Sequence, residues 1–299
     1  MLTKIKYAKE TCTLKYTKMA FGFRIGSGTY CSVYTLQDDP ESVAKVYNNS
    51  NEKLDDYVLR EIAILTTFKH ANIVKLRKVE TNAAGKVTLI MEKCKGELHS
   101  NMYKTDLLGR KKIIREVLQA LSFLHSNGVI HRDVKPANIL LANDGTVRLC
   151  DFNTAMYMGL EMCSKNTKQS IEAGTLWWRA PEALLDDYHY DYKVDIWAVG
   201  MLLLSMILGK EPLKGDNCVQ QLFFTYQMLG TPGTDDNWPD ACTLPNWSSK
   251  HPQWTRGTLQ DLLKTSTATA EEKDLLSHTL TYPNTRQSAV WLLEQSYFH

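Results

Sequence analysis

The 299-residue sequence has no C-x-x-C pair, no apolar run long enough to cross a bilayer, no internal repeat and no low-complexity tract. Each absence excludes something. The seven cysteines, at positions 12, 31, 94, 150, 163, 218 and 242, are scattered and form no ligand-like cluster with histidine. An odd, dispersed set argues against a disulfide framework or a zinc module and for reduced thiols, hence an intracellular protein, cytoplasmic or nuclear. The longest apolar stretch, "IWAVGMLLLSMILG" from Ile196 to Gly209, is 14 residues long and reads as a buried core helix. The opening "MLTKIKYAKETCTLKYTKMAF" has no apolar core of the kind a secretory signal needs. A formal net charge of +2 is too weak a field to argue for nucleic acid or a membrane as partner.

What is present is an ordinary globular composition, 43% hydrophobic and 23% charged, sufficient for one large domain or two lobes. The first ninety residues read mostly as strands. "FGFRIGSGTYCSVYTL" and "SVAKVY" are β-rich and joined by the turn former "QDDPE", and "KVTLIMEK" looks like a further strand. One helix interrupts them: "KLDDYVLREIAILTTF" places Leu54, Val58, Ile62 and Leu65 at helical spacing, with Asp55 and Asp56 early. After Lys95 the pattern turns helical. "LLGRKKIIREVLQALSFLHSNG" repeats apolar residues at Ile113, Val117, Leu121 and Leu124 and stops at Gly128. Further helices are expected at 195–209, 216–229, 271–279 and in "RQSAVWLLEQSYF". The tail of the 232–260 stretch, rich in Pro, Trp and Gly, reads as irregular surface structure. The expectation is an α+β fold of two lobes, a small β-rich one over 1–93 and a larger helical one over 94–299, with a hinge near Glu92–Gly96.

Two constellations carry chemistry. In "IGSGTYCSVY", Gly26 and Gly28 would let a hairpin backbone approach a phosphate chain that a Cβ would block, although a plain β-turn explains the pair equally well. Lys45, one strand later, could pair with phosphates; taken alone it reads as solvated surface, and Glu61 alone reads as an exposed helix charge. The second constellation, "HRDVKPANILLANDGTVRLCDFN", is far more specific. Asp133 can accept a proton from an attacking hydroxyl. Asn138 and Asp151 offer hard oxygen donors suited to Mg²⁺ on phosphates. The Asn143–Gly145 turn would fold the strand after Asn138 back toward Asp151.

These motifs, in the order "GSGTYCSV", Lys45, Glu61, "HRDVKPAN", "DFN", "APE" and "VDIWAVG", resemble those of the eukaryotic-type protein kinases along nearly the whole chain. Within that family "REIAILTTFKHANIVKL", "GTLWWRAPEALL" and "LFFTYQMLGTPGTDDNWP" are similar to the cyclin-dependent and mitogen-activated group. The resemblance implies ATP and Mg²⁺ as cofactors and transfer of the γ-phosphoryl group to Ser or Thr of a protein substrate, with proline-directed specificity an open option. It implies Asp133, Lys135 and Lys45 as catalytic residues, Lys45 pairing with Glu61, and Thr175 near Lys135. Nucleotide contacts are expected from Ile25, Gly26, Ser27, Gly28, Val33, Val43, Lys45, Glu61, Met91, Glu92, Cys94 and Leu140, and metal ligation from Asn138 and Asp151. Glu182 and Arg286 are expected as a structural ion pair, and Arg132 as part of an electropositive pocket for a phosphorylated activation segment. Ser170 matches the activating position, Ser164 and Thr167 are further candidates, and Thr29 and Tyr30 match two inhibitory positions.

The sequence also departs from the pattern. Asn153 replaces the glycine that closes "DFG", where a left-handed backbone would favour Gly and Asn is the best-tolerated substitute. Cys31 replaces the third loop glycine. The Pro-Ser-Thr-Ala-Ile element that precedes Arg-Glu-Ile in cyclin-dependent kinases is missing, so a cyclin, another activating subunit or none remain open. A pseudokinase acting as a nucleotide-binding scaffold is the competing expectation; a small-molecule phosphotransferase is disfavoured by the peptide-docking "GTLWWRAPE".

Overall fold

The computed structural model describes residues 20–28, 31–47, 55–81, 86–100, 102–158, 175–233, 238–255 and 257–299. They divide into two compact units, one within Met1–Lys69 and Val74–Lys93, the other within His70–Ile73 and Cys94–His299.

In the first unit, β1 (Phe21–Ser27), β2 (Cys31–Leu36), β3 (Ser42–Tyr47), β4 (Leu76–Thr81) and β5 (Val87–Glu92) form an antiparallel sheet in the order β1-β2-β3-β5-β4. β3, "SVAKVY", is central and nearly all buried, as its run of small and branched residues requires. The helix α1 (Asp56–Thr67) starts at Asp55 in an extended conformation and carries Asp56 in its first turn, where the helix dipole favours an acid. Its buried residues are Val58, Glu61, Ile64 and Leu65, so the stripe runs through Glu61, one position before the expected Ile62. β4, "LRKVET", escaped the sequence pattern because Arg77, Lys78 and Glu80 interrupt its alternation. It lies at the sheet edge, where charged side chains are tolerated and block further pairing.

The second unit is mainly helical. Asp106 caps α2 (Leu107–Ser126), its carboxylate accepting from the Gly109 amide at 2.8 Å. Gly128 follows the helix end with φ of 74°, a left-handed turn that suits glycine. The greasy run forms α4 (Lys193–Leu208), buried from Val194 to Ile207, after the short α3 (Pro181–Leu184). α5 (Cys218–Leu229), α6 (Leu259–Lys264), α7 (Ala270–Thr279) and α8 (Ala289–Leu293) complete the α-helices among the described residues. Gly200 of α4 makes one close packing possible: a Cβ there would lie 2.6 Å from Thr279 Oγ1 and 2.8 Å from Leu280. A small three-stranded sheet of β6 (Gly96–Glu97), β8 (Ile139–Leu141) and β9 (Val147–Leu149), in which β8 and β9 form a hairpin, and the pair β7 (Val129–Ile130) with β10 (Met156–Tyr157) hold the loops of interest.

One expectation is corrected here. The C-terminal helix is confined to α8 and a single 3₁₀ turn at Ser296–Phe298, because the Ser288 hydroxyl caps the chain at the Trp291 amide and starts the helix late. Ahead of the tail of 232–260, Trp238 and Ala241 are buried in a cluster with Leu184, Leu185, Leu222, Tyr226 and Tyr282. Aromatic side chains pack without helical or strand periodicity, so no pattern announced this.

Candidate active site

In the first unit the β3 register sets Lys45 opposite Leu89 and Val33, with its ammonium directed to α1. Lys45 Nζ donates to both Glu61 oxygens, at 2.8 and 2.7 Å, and both side chains are buried. The isolated readings of these residues as surface charges are thereby overturned. A charge so desolvated is tolerated only when paired, and the pair provides it. Gly26 faces Val33 across the β1–β2 hairpin, and the Gly28 amide closes the loop on the Cys31 carbonyl at 2.9 Å. A Cβ at Gly28 would meet nothing within 4 Å, so packing does not demand the glycine. Ile25 is 55% exposed, whereas Val43 and Met91 are buried in the sheet. Glu92 accepts from the Lys75 amide at 2.8 Å. Thr29 and Tyr30 lie outside the described residues.

In the second unit Asp133 is the hub. Its Oδ1 accepts from the Thr175 amide at 2.9 Å, and its Oδ2 from Asn138 Nδ2 at 2.8 Å and Lys135 Nζ at 2.7 Å. Lys135 Nζ also donates to Thr175 Oγ1 at 2.8 Å. Donors on both sides hold the carboxylate in one orientation, and it stays largely buried. The β8–β9 register pairs Ile139 with Leu149, and the Cys150 amide donates to the Asn138 carbonyl at 2.9 Å. The hairpin thus sets Asn138 across from the residue before Asp151. Asn138 meets Asp133 through Nδ2, which leaves Oδ1 as its hard donor. With the Asp151 carboxylate this donor set fits Mg²⁺, which takes one or two protein oxygens and fills its remaining positions with water and phosphate. No group of three or more His, Cys, Asp or Glu able to hold a metal occurs among the described residues.

The motif "VDIWAVG" by itself gives Asp195 no task. The structure gives it a large one. Its Oδ2 accepts from the His131 amide at 2.9 Å and its Oδ1 from the Arg132 amide at 2.8 Å, while His125 Nε2 bonds Oδ2 at 2.8 Å. Arg132 has φ of 68°, costly for a side chain, and these bonds hold it there. Burial alone would raise the Asp195 carboxyl, but the hydrogen bond and charge of His125, with the help of His131, outweigh it and hold the acid below the usual carboxylate range. The signal was an acid at the start of an otherwise apolar helix, since such a charge needs a partner. His131 was likewise assigned nothing. Its Nδ1 accepts from the Asp133 amide at 3.2 Å, so Nε2 bonds the Cys150 carbonyl at 3.0 Å, and its ring meets the fully buried Phe152 edge-on.

The Arg132 guanidinium donates to the Thr154 carbonyl at 2.6 Å and the Tyr190 hydroxyl at 3.0 Å. Ser164, Thr167, Ser170 and Gly174, in the segment expected to carry its phosphate, lie outside the described residues. Glu182 and Arg286 pair as expected, bidentate and buried, and Arg286 also donates to the Lys193 and Thr281 carbonyls. The reading of Asn153 needs correction: it has no positive φ, and the left-handed residue in this stretch is Asp151, at 63°. The three bonds on the Asp133 carboxylate, the Lys45–Glu61 pair and Leu140 on β8 are thus all placed, each within its own unit.

Residues 20–298 match the protein kinase domain, and the chain belongs to that family. It is 36% identical over 288 residues to cell division control protein 2 homolog 3 of Trypanosoma brucei brucei, covering 92% of this chain and 89% of that protein. A chain in the structure of the CAK complex of Chaetomium thermophilum bound to ATP-gamma-S superposes with a TM-score of 0.81 at 27% identity, covering 99% of this chain and 94% of that one. Within the family the chain is of the cyclin-dependent and mitogen-activated type, with a five-stranded β unit and a helical one.

Proposed function

We propose that the protein is an ATP-dependent kinase that phosphorylates Ser or Thr hydroxyls of protein substrates inside the cell. The observation that carries the reading is the network on Asp133. A carboxylate fixed by Lys135, Asn138 and the Thr175 amide can orient a substrate hydroxyl and take its proton as the oxygen attacks. Lys135, tied to Thr175, would neutralise charge on the moving phosphoryl group, and Lys45, steadied by Glu61, would hold the α- and β-phosphates. Asn138 and Asp151 would hold Mg²⁺, which when bound neutralises the charge of the phosphate chain. Positioning and electrostatics supply most of such a rate enhancement, and this is a site of fixed charges.

The hydroxyl preference rests on "HRDVKPAN", whose lysine is the serine/threonine form. The adenine contacts Ile25, Val33, Val43, Met91, Cys94 and Leu140 and the loop residues Gly26, Ser27 and Gly28 belong to the same proposal. Whether an activating subunit is needed stays open between a cyclin, another protein and none. The scaffold alternative loses much of its support, since Asn153 carries no left-handed strain.

The test is transfer from labelled ATP to a generic basic protein, with and without added cyclin, followed by phosphoamino-acid analysis. Wild type is expected to label Ser and Thr, and Asp133→Asn to lose on the order of 10²-fold or more. Equal signal from both proteins would replace the kinase reading with the scaffold one, and label on Tyr would overturn the residue preference.

A further inference from the structure

Two residues past Lys45 on β3, and so on the same face of the strand, stands Tyr47. It is fully buried, as is Glu61. Its hydroxyl donates to Glu61 Oε2, the oxygen that also accepts from Lys45 at 2.7 Å. The Lys45 ammonium lies 5.4 Å above the Tyr47 ring, a cation–π distance. The same ring also meets Tyr57 of α1, tilted, at 5.9 Å between centroids, and the Tyr57 hydroxyl donates to Asp55 Oδ2 at 2.9 Å, just before the helix begins. One side chain therefore touches the strand lysine, the helix glutamate and the first turn of α1.

The consequence follows from competition for Lys45. A triphosphate draws the ammonium toward itself, and a buried carboxylate that loses its cation becomes unstable and pulls its helix away. A phenol is neutral, is not attracted by phosphate, and hangs on only two rotatable bonds. We propose that Tyr47 is a positioning residue: its hydroxyl holds Glu61, and through it α1, in place while Lys45 serves the nucleotide. The anchor lies within the first unit. The nucleotide half of this claim rests on the kinase reading above; the anchoring half does not.

The experiment has two arms. In the first, amide hydrogen exchange is followed in the nucleotide-free protein for wild type, Tyr47→Phe, Glu61→Met and the double variant. Phe retains the ring and its packing, so folding is preserved. Exchange around Glu61 in α1 is expected to rise about tenfold in Tyr47→Phe, the equivalent of one charge-assisted hydrogen bond. Protection in β5 should not change, and Tyr47→Phe should add little once Glu61 is Met. In the second arm, ATP–Mg²⁺ affinity should fall several-fold in Tyr47→Phe while adenosine affinity holds, because Lys45 would reach only phosphates. An unchanged α1, or an effect that persists in full on the Glu61→Met background, would overturn the proposal. Equal losses for ATP and adenosine would do so too, by marking a packing role. A wild type that binds no ATP would fail the kinase reading, and the exchange arm would still decide the role of Tyr47.

Discussion

Asn153 is a residue whose backbone, not its neighbours in sequence, decides what a substitution does. With no left-handed φ at 153 and 63° at Asp151, restoring the family's glycine relieves no strain and adds chain entropy to the unfolded state. Asn153→Gly is therefore expected to lower stability by up to about 1 kcal/mol in denaturant melts and to leave kcat within about threefold. A large gain in activity would show that the glycine serves a conformation other than the one described. Asp195 presents the opposite case, a residue with no substrate contact and a heavy cost on removal. In Asp195→Asn one oxygen becomes an amide that cannot accept, so either the His131 or the Arg132 amide is left buried without its partner and the positive φ of Arg132 loses support. A loss of roughly 2–3 kcal/mol is expected from that unsatisfied group, read as a lowered midpoint of unfolding. Phosphotransfer should fall with it, since Asp133 stands one residue beyond Arg132.

Elements with strong periodicity were readable in advance, and those shaped by tertiary demands were not. α2 and α4 were visible because apolar stripes and terminal glycines report local physics. β4 was not, since an edge strand keeps its charges; nor was the stripe of α1, where Glu61 takes a core position that only Lys45 and Tyr47 make tolerable. The same division holds in the site. Asp133, Lys135, Asn138 and Asp151 sit close in sequence and stand out as a motif, whereas Asp195 meets the His131 and Arg132 backbone from 62 residues beyond Asp133 and Tyr47 had no pattern to mark it. Helix packing supplies a test at this scale. Because a Cβ at Gly200 would press on Thr279 and Leu280, Gly200→Ala should cost about 1–3 kcal/mol by overpacking, despite alanine's better helix propensity. Thermal melts of this variant beside Ser205→Ala, which removes only an i−4 bond to the Met201 carbonyl, would separate crowding from propensity. A stabilised Gly200→Ala would mean that α4 and α7 can move apart freely.

Across the molecule, the partly and fully buried titratable groups fix how stability responds to pH. Burial pushes His70 and His251 below the ordinary 6.5, so both are neutral in the fold and the unfolded chain binds protons first. Their contribution is complete above pH 6.5 and is lost as pH falls through the folded values. Burial opposes ionisation of Asp195 and Glu211, but His125 at the first and Tyr103 and Lys214 at the second hold the carboxyls below the ordinary 3.8 and 4.5. That contribution is present above those values and disappears in acid. On the alkaline side, burial raises the phenols of Tyr103, Tyr226, Tyr282 and Tyr297 above 10.0, so ionisation of the unfolded chain withdraws stability from there upward. The expected profile of Tm is a plateau between about pH 7 and 9, a shallow decline below 6.5 and a steep one below 4, with a second decline above 10. Scanning calorimetry across that range checks it, and the histidines give the sharper arm. His70 stacks on Phe123 at 5.0 Å and His251 meets Phe223 edge-on at 5.4 Å, so phenylalanine can take either place with its ring contact kept. The variant His70→Phe, His251→Phe should flatten the profile between pH 6.5 and 5 while the acid limb below 4 stays where it was. A wild-type Tm that rises as pH falls from 7 to 5 would require that protonation of His70 and His251 stabilise the fold, against the partial burial that lowers both.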